Sequence, residues 1–321
     1  RHLARSPYNP LLTPIKENSW ESKYVLNCGA IRLDGQVHIV YRAVGEDGIS
    51  RLGLALSRDG LRIDERLPEP IFVPEHKSEG MGCEDPRLIA IDGRVYMLYT
   101  AYDGITPQIA LASIDIDDMI NRRWGQWYRH GLVFPGLPNK DAILFPERFD
   151  GKLAMFHRII PSIWVTFADT LEAPWPKEGH NIVLGIRSGM MWDAVKIGAG
   201  AQPLKTKYGW LLIYHGVDYS LCYRLGVILN ALDDPTEVLY RSPNPILEPA
   251  TSYEKGTSGQ SWVPNVVFTC GAVSVEDKEI LDADDEILVY YGGADTVIGV
   301  ASATVGDLIP ARFRNGNSGI R

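Results

Sequence analysis

The chain has only four cysteines in 321 residues, and none stands in a CxxC pair. That spacing excludes a zinc ribbon and a thioredoxin-type redox motif. Cys28, Cys83, Cys222 and Cys270 sit in apolar, strand-like contexts and read as small buried thiols of a reduced compartment rather than as disulfides. The seven histidines lack HExxH or any other metal-ligand spacing. There is no Gly-rich P-loop and no GxSxG elbow, so neither a metal nor an organic cofactor is implied. No apolar run approaches the length of a membrane span, and no signal-peptide pattern opens the chain. The first residue is not Met, which leaves room for a removed leader; the cytoplasm is the expected location, with no membrane partner. Positive charge is also scarce. The 32 basic and 40 acidic residues leave a net charge of −8, which favours solubility and argues against a nucleic-acid partner. An anionic substrate stays compatible, because a few cations focused in one pocket can outweigh a mildly negative surface.

What is present is a repeat. An apolar run ending in an aromatic recurs five times, as HIVYRA, YMLYTA, LAMFHR, LLIYHG and LVYYGG. The matching aromatics are Tyr41, Tyr99, Phe156, Tyr214 and Tyr291, separated by 58, 57, 58 and 77 residues. Turn signals such as Asp34-Gly35, Asp92-Gly93 and Asp150-Gly151 precede the runs and predict β-hairpins. A second strand-like segment follows each run, rich in alternating small and apolar residues (LGLALSRD, IALASID, IWVTFAD, LGVILNALDD, IGVASATV). Short Pro-bounded segments (9–14, 69–74, 130–135, 244–249, with 180–186 as a weaker copy) suit sheet edges. Hydrophobic residues make up 45% of the chain, ample for a core. Five such repeats without a long amphipathic helix predict an all-β fold, a five-bladed β-propeller occupying 1–321 as one domain. A pair of β-sandwiches is the alternative. The longer last interval is explained by an acidic insertion at about 273–286, expected as a solvated hairpin tip, and the polar segment from Arg312 onward is expected to fray.

In a propeller the innermost strand of each blade lines the axis, so polar residues at its start converge. Counting back from each repeat aromatic gives Asn27, Asp85, Lys140-Asp141, Lys196 and Asn265. Polar residues opening otherwise apolar strands, once per repeat, are hard to explain by packing, although a structural pair could account for any single one. Asp85 lies in Cys83-Glu84-Asp85-Pro86-Arg87. Adjacent carboxylates on a strand point oppositely, so only one is expected to face the axis; the alternative is an Asp-Pro turn with Arg87 paired to Glu84. Arg42, His157, Arg158 and His215 follow the repeat aromatics, Lys196 starts a repeat, and Tyr223-Arg224 open the fourth repeat's next strand. Cations gathered around one axis make an anion site; ion pairing with Asp85, Asp141 or Asp218 is the structural reading. Asp103, Asp218 and Asp295 each close an aromatic-small-Asp stretch, suited either to sugar hydroxyls or to a turn. Trp124, Trp127, Trp192 and Trp262 could stack on sugars or simply pack.

The stretches GCEDPRL, KDAILFPERFDGKLAMFHR, KIGAGAQPLKTKYGWLLIYHGVD, YRLGVILNALDDPTEVLYRSPNPILEP, VPNVVFTCGAV and YYGGADTVIGVA resemble glycoside hydrolase family 130, the β-mannoside phosphorylases and their hydrolytic relatives, over most of 27–302. The resemblance implies a five-bladed propeller and an inverting phosphorolysis of β-1,2- or β-1,4-linked manno-oligosaccharides or mannosyl disaccharides to α-mannose 1-phosphate. By that resemblance Asp85 is the catalytic acid, acting through the mannose 3-hydroxyl. Arg42, Arg158, Lys196, His215 and Tyr223 bind the co-substrate inorganic phosphate, and Asn27 and Asp295 hold the mannosyl unit. Arg87, Lys140 and Asp141 are expected as further substrate contacts. A homo-oligomer is compatible with the resemblance.

An inverting hydrolase would need a second carboxylate about 6.5–9.5 Å from the acid to activate water, whereas phosphate is already a nucleophile and needs only cations. Glu84 and Glu147 are the carboxylates left for the hydrolytic alternative. Arg148 competes with Arg158 for the phosphate, with Arg158 preferred because it follows the innermost strand. A non-catalytic glycan-binding propeller is the third reading.

Overall fold

The computed structural model describes residues 2–257, 259 and 261–315. The described chain is nearly all β-strand, arranged as five antiparallel meanders. The first contains Tyr24–Leu33, Gln36–Val44 and Ser50–Ser57, edged by Glu65–Arg66. The second contains Gly82–Ile91, Arg94–Tyr102, Pro107–Asp115 and Tyr128–Leu132. These two are joined into one sheet by a single parallel bridge, Ser50 to Gly82. The third contains Lys140–Leu144, Leu153–Ile159, Ser162–Ala168 and Asn181–Leu184. The fourth contains Lys196–Ala199, Gly209–Val217, Tyr223–Asn230 and Val238–Arg241, with Leu204–Thr206 pairing beside the second strand. The fifth contains Val267–Ser274, Glu286–Gly293 and Val297–Thr304; its fourth strand, Ala4–Arg5, comes from the other end of the chain.

The hairpins form where the Asp-Gly turns predict them. Asp34 and Gly35 both have positive φ, as do Asp92-Gly93 and Asp150-Gly151, which a type I′ turn requires. Three of the Pro-bounded segments make less than a strand. Around Leu12, Phe72 and Leu247 each forms one bridge to the third strand of its meander, since proline cannot donate to a ladder. The fourth strands come instead from neighbouring residues. The acidic insertion is not wholly solvated, because Leu281 is buried and bridges to Thr206 of the fourth meander. Residues 312–314, expected to fray, lie in a helical turn, Ala311–Arg314, whose Phe313 packs on Tyr240. Residues 316–321 of that segment fall outside the described residues.

The core lies between meanders, not within one. Separate apolar clusters join the first to the second, the second to the third, the third to the fourth, the fourth to the fifth and the fifth back to the first. The repeat aromatics explain how charge is buried there. Tyr41 donates to Glu21 at 2.7 Å, and Arg66 meets the same carboxylate at 2.6 Å. Tyr99, Glu79 and Arg129 form the same triad in the second meander. Tyr214, Asp193 and Arg241 form it in the fourth (2.9 and 2.7 Å), and Tyr291, Glu254 and Arg5 in the fifth (2.7 and 2.7 Å). Each arginine reaches in from or beside the outermost strand, so the triad ties that strand to the second one. The third meander carries Phe156 at this position and cannot make the triad.

Candidate active site

The leading strands of the meanders are regular except near their starts. Asn27 has φ 41°, Asp85 φ 54° and Asp141 φ 56°. Each sits where the pairing register slips: between Leu26 and Cys28, between Glu84 and Arg87, and between Lys140 and Ile143. An extra residue in a bulge is released from the ladder and its side chain is re-aimed. Asn and Asp are the non-glycine residues that tolerate the left-handed region best. The local conformation therefore accounts for the residue types as well as for their direction.

The re-aimed side chains meet. Asn27 Nδ2 donates to Asp85 Oδ1 at 2.9 Å. Arg42 approaches the same oxygen at 3.4 Å and Glu84 Oε2 at 3.2 Å, and its Nε donates to Ser50 at 2.9 Å. Both adjacent carboxylates thus face Arg42. This corrects the expectation that strand alternation separates them: the bulge at Asp85-Pro86 cancels the alternation. Arg87 does not pair with Glu84. It is buried and spends its donors on the carbonyls of Asp85, Ala199 and Gly200 and on Asp141 Oδ1, at 2.8–3.2 Å. It ties three leading strands together.

Asp141 is the hub of the other half. Arg158 and His215 approach its Oδ2 at 3.3 and 3.4 Å, ion-pair distances that leave this oxygen without a well-formed hydrogen bond. Burial alone would raise the Asp141 carboxyl, but Arg158, His215 and Arg87 outweigh it and hold it well below the usual carboxylate range. Gly198 makes this meeting possible: a Cβ there would lie 2.4 Å from Asp141 Oδ2 and 2.5 Å from His215 Cε1.

Donor capacity is left over. Arg158 Nε and both ring nitrogens of His215 are buried without a hydrogen-bond partner. Lys196 makes no ion pair among the described residues; its Nζ lies over the Tyr223 ring at 5.5 Å, and burial followed by Arg158 lowers its pKa. His215 packs on Phe268 at 4.4 Å with Tyr223 beside it at 5.9 Å. Burial pushes the Tyr223 hydroxyl up and the His215 imidazole down. From the fifth meander comes Asp295, with φ 50° and no hydrogen bond among the described residues. Burial pushes its carboxyl up to about 7; Arg42 and Lys140 oppose the shift and Asp85 and Glu84 add to it. Lys140 pairs with Arg158 across the mouth of the third meander.

Other expected residues lie elsewhere. His157 is buried and faces into its own sheet, not toward Asp141. Arg148 is exposed and bonds the carbonyls of Gly151 and Asp169, so Arg158 is the arginine of this cluster. Glu147 pairs with Lys205 at 2.6 Å and lines a cavity of about 410 Å³ with Ala90, Ile91 and Ser274, at the far ends of the leading strands. That cavity contains none of the clustered cations. Asp103 and Asp218 accept backbone N–H groups in turns, and Trp124, Trp127 and Trp192 pack in the core. Trp262 alone of the four is at the cluster: it is 41% exposed, stacked on Tyr24 at 4.8 Å, with Arg42 5.1 Å from its ring. Sequence reasoning missed Gly198 and Asn139, the buried residue before Lys140. The small residues of KIGAG were the only signal for the first; an Asn preceding a strand start was the signal for the second.

A family model described as beta-1,4-mannooligosaccharide phosphorylase matches residues 5–311. A 1,2-beta-oligomannan phosphorylase of Thermoanaerobacter sp. (strain X514) is 41% identical over 315 residues, covering 95% of this chain and 98% of the relative. A beta-1,2-mannobiose phosphorylase of the same strain is 40% identical, with 93% and 96% covered. The solved structure of the beta-1,2-mannobiose phosphorylase from Listeria innocua, in complex with beta-1,2-mannobiose, matches with a TM-score of 0.79 at 25% identity, covering 96% of this chain and 98% of that one. With nearly its whole length matched, the chain belongs to glycoside hydrolase family 130.

Proposed function

We propose that the chain is a β-mannoside phosphorylase, and that its five meanders are the blades of a propeller forming one catalytic domain. The cyclic order of the apolar clusters and the N-terminal strand completing the fifth meander support the propeller. The observation that carries the function is the surplus of cationic and donor groups beside Asp141. Arg158, Lys196 and His215 exceed what one carboxylate, already shared with Arg87, can neutralise. A phosphate held by these groups, with Tyr223 and Arg42 at its margins, would be oriented for in-line attack on an anomeric carbon. Asp85 is the proton donor to the departing oxygen, by way of the mannose 3-hydroxyl. Asn27, Lys140 and Asp295 hold the mannosyl unit, while Asp141 and Arg87 position the cations. Attack from the face opposite the leaving group gives α-mannose 1-phosphate, and the reaction is reversible. The 41% and 40% identical relatives both bear β-1,2 names, so β-1,2-mannosides are the substrates proposed first. Inorganic phosphate is the only co-substrate the reading needs. Four unpaired, buried cysteines support a cytoplasmic site of action.

The test is incubation with β-1,2- and β-1,4-mannobiose, with and without phosphate. Phosphate-dependent mannose 1-phosphate from the β-1,2 substrate is expected. Free mannose at equal rates in both buffers would identify a hydrolase instead, with Glu84 as the remaining candidate base.

A further inference from the structure

The third meander, which lacks the tyrosine triad, contains a different chain of hydrogen bonds. Asn139 is buried, and its Oδ1 accepts from the backbone N–H of Lys140 at 2.9 Å and of Arg158 at 3.1 Å. Its orientation is thereby determined, because only the amide oxygen can face two N–H groups. Asn139 Nδ2 then donates to His157 Nδ1 at 2.9 Å. With Nδ1 accepting, the ring proton of neutral His157 is on Nε2, which donates to Thr166 Oγ1 at 2.8 Å. The Thr166 hydroxyl is in turn free to donate to His180 Nδ1 at 2.9 Å. His157 and Thr166 are fully buried. Phe134 packs on both imidazoles, at 4.7 and 5.0 Å. Burial, with His180 adding to it, keeps His157 neutral by lowering its pKa to about 3. His157 Nε2 also lies 3.2 Å from His180 Nδ1, so its one proton faces that nitrogen as well as the nearer Thr166 oxygen; the direction of the chain is set from the Asn139 end.

We infer that Asn139 and His157 are positioning residues for phosphate: the relay from His180 through Thr166, His157 and Asn139 clamps the mouth of the third meander, from which Lys140, Asp141 and Arg158 project. None of the four is proposed to touch the anion; they act through the backbone of Arg158, which binds it, and of the neighbouring Lys140. The clamp spans the point where the ladder is interrupted by the Asp141 bulge, so the side chain of Asn139 supplies order that the sheet does not. A shift of about 1 Å in a group that orients a reactant can cost as much as about a hundredfold in rate. This inference rests on the phosphorylase reading above.

The test is calorimetric titration of inorganic phosphate into the full chain, alongside steady-state kinetics in phosphate and in β-1,2-mannobiose. His157→Leu and Asn139→Ala are expected to raise Kd and KM for phosphate about tenfold through Arg158, with a smaller rise of about threefold in KM for mannobiose through Lys140. Thr166→Val keeps the shape and removes one link, so an increase of about threefold is expected. His157→Gln, whose amide can accept from Asn139 and donate to Thr166, is expected to recover most of the loss, and it provides a folded comparison should His157→Leu not fold. Phosphate binding unchanged in Thr166→Val and in whichever His157 and Asn139 variants fold would overturn the inference and leave the phosphorylase reading standing. A KM for mannobiose rising as far as the KM for phosphate would overturn it equally, since that is what loosened packing produces. Wild-type protein that binds no phosphate would overturn the phosphorylase reading itself.

Discussion

Charge is buried in two regions of this molecule, and the two are built differently. Beneath four meanders a tyrosine, a carboxylate and an arginine close on one another; Glu21, Glu79, Asp193 and Glu254 are each met by a hydroxyl and a guanidinium. At the starts of the leading strands the same residue types are assembled without closing. Asn27 Oδ1, Asp141 Oδ2, Arg158 Nε and both His215 nitrogens are buried and unbonded, and Lys196 and Asp295 have no ion-pair partner among the described residues. A buried polar atom left unmade costs about 1–3 kcal/mol. One region is a saturated structural tie; the other holds capacity in reserve for a ligand. Burial and charge alone do not distinguish them, but the hydrogen-bond inventory does.

The comparison predicts that substitutions in the two regions separate stability from activity. The largest effect is expected for Asp85→Asn, which should lower kcat about 10²–10⁴-fold, the usual contribution of a positioned acid, while Tm changes little; a comparable fall in Tm would put Asp85 with the structural ties. Glu254→Gln should do the reverse. Leaving Arg5 and the Tyr291 hydroxyl with a neutral partner is expected to cost on the order of 3 kcal/mol in denaturant unfolding, with KM for phosphate unchanged. Gly198→Ala sharpens the boundary from the packing side. The added methyl must push Asp141 from His215, and a loss of about 2 kcal/mol is expected together with weaker phosphate binding.

The smallest effect concerns pH. The Asp295 carboxyl is pushed up to about 7 by burial. A raised carboxyl keeps its proton in the folded state over a range where the unfolded chain has released it. Asp295 therefore makes the fold progressively less stable as pH rises from about 4 to about 7, and contributes no further change above that. Asp295→Asn should remove this dependence and stabilise the protein near neutral pH by about 1–2 kcal/mol while impairing mannosyl binding. A stability difference that is flat across this range would show that Asp295 is ionised throughout.

Much of this was legible in the sequence, for identifiable reasons. Five aromatics at near-constant spacing and the Asp-Gly turns reveal the meanders, because hairpin chemistry is local. The starts of the leading strands could be counted back from those aromatics, which located Asn27, Asp85, Asp141 and Lys196. What counting could not supply was direction. The bulges at Asn27, Asp85 and Asp141 break the two-residue period, so Glu84 and Asp85 share Arg42 when alternation would have parted them. The partners of Arg87 (Asp141, Ala199 and Gly200) and of His157 (Asn139 and Thr166) were not legible for a related reason: they lie mostly on or beside other strands, and no spacing within the chain reports them. Glu147 and Arg148 follow their leading strand closely but lie past its far end, a distinction that depends on where the strand stops.

The most direct test of the central claim is a crystal structure of the protein soaked in phosphate. The anion is expected within hydrogen-bond distance of Arg158 Nε, with Lys196 and His215 as further partners and Asp141 untouched. Phosphate found at Arg148 or beside Lys205, with Arg158 Nε still unbonded, would contradict the claim that the open donors of this cluster are the phosphate site.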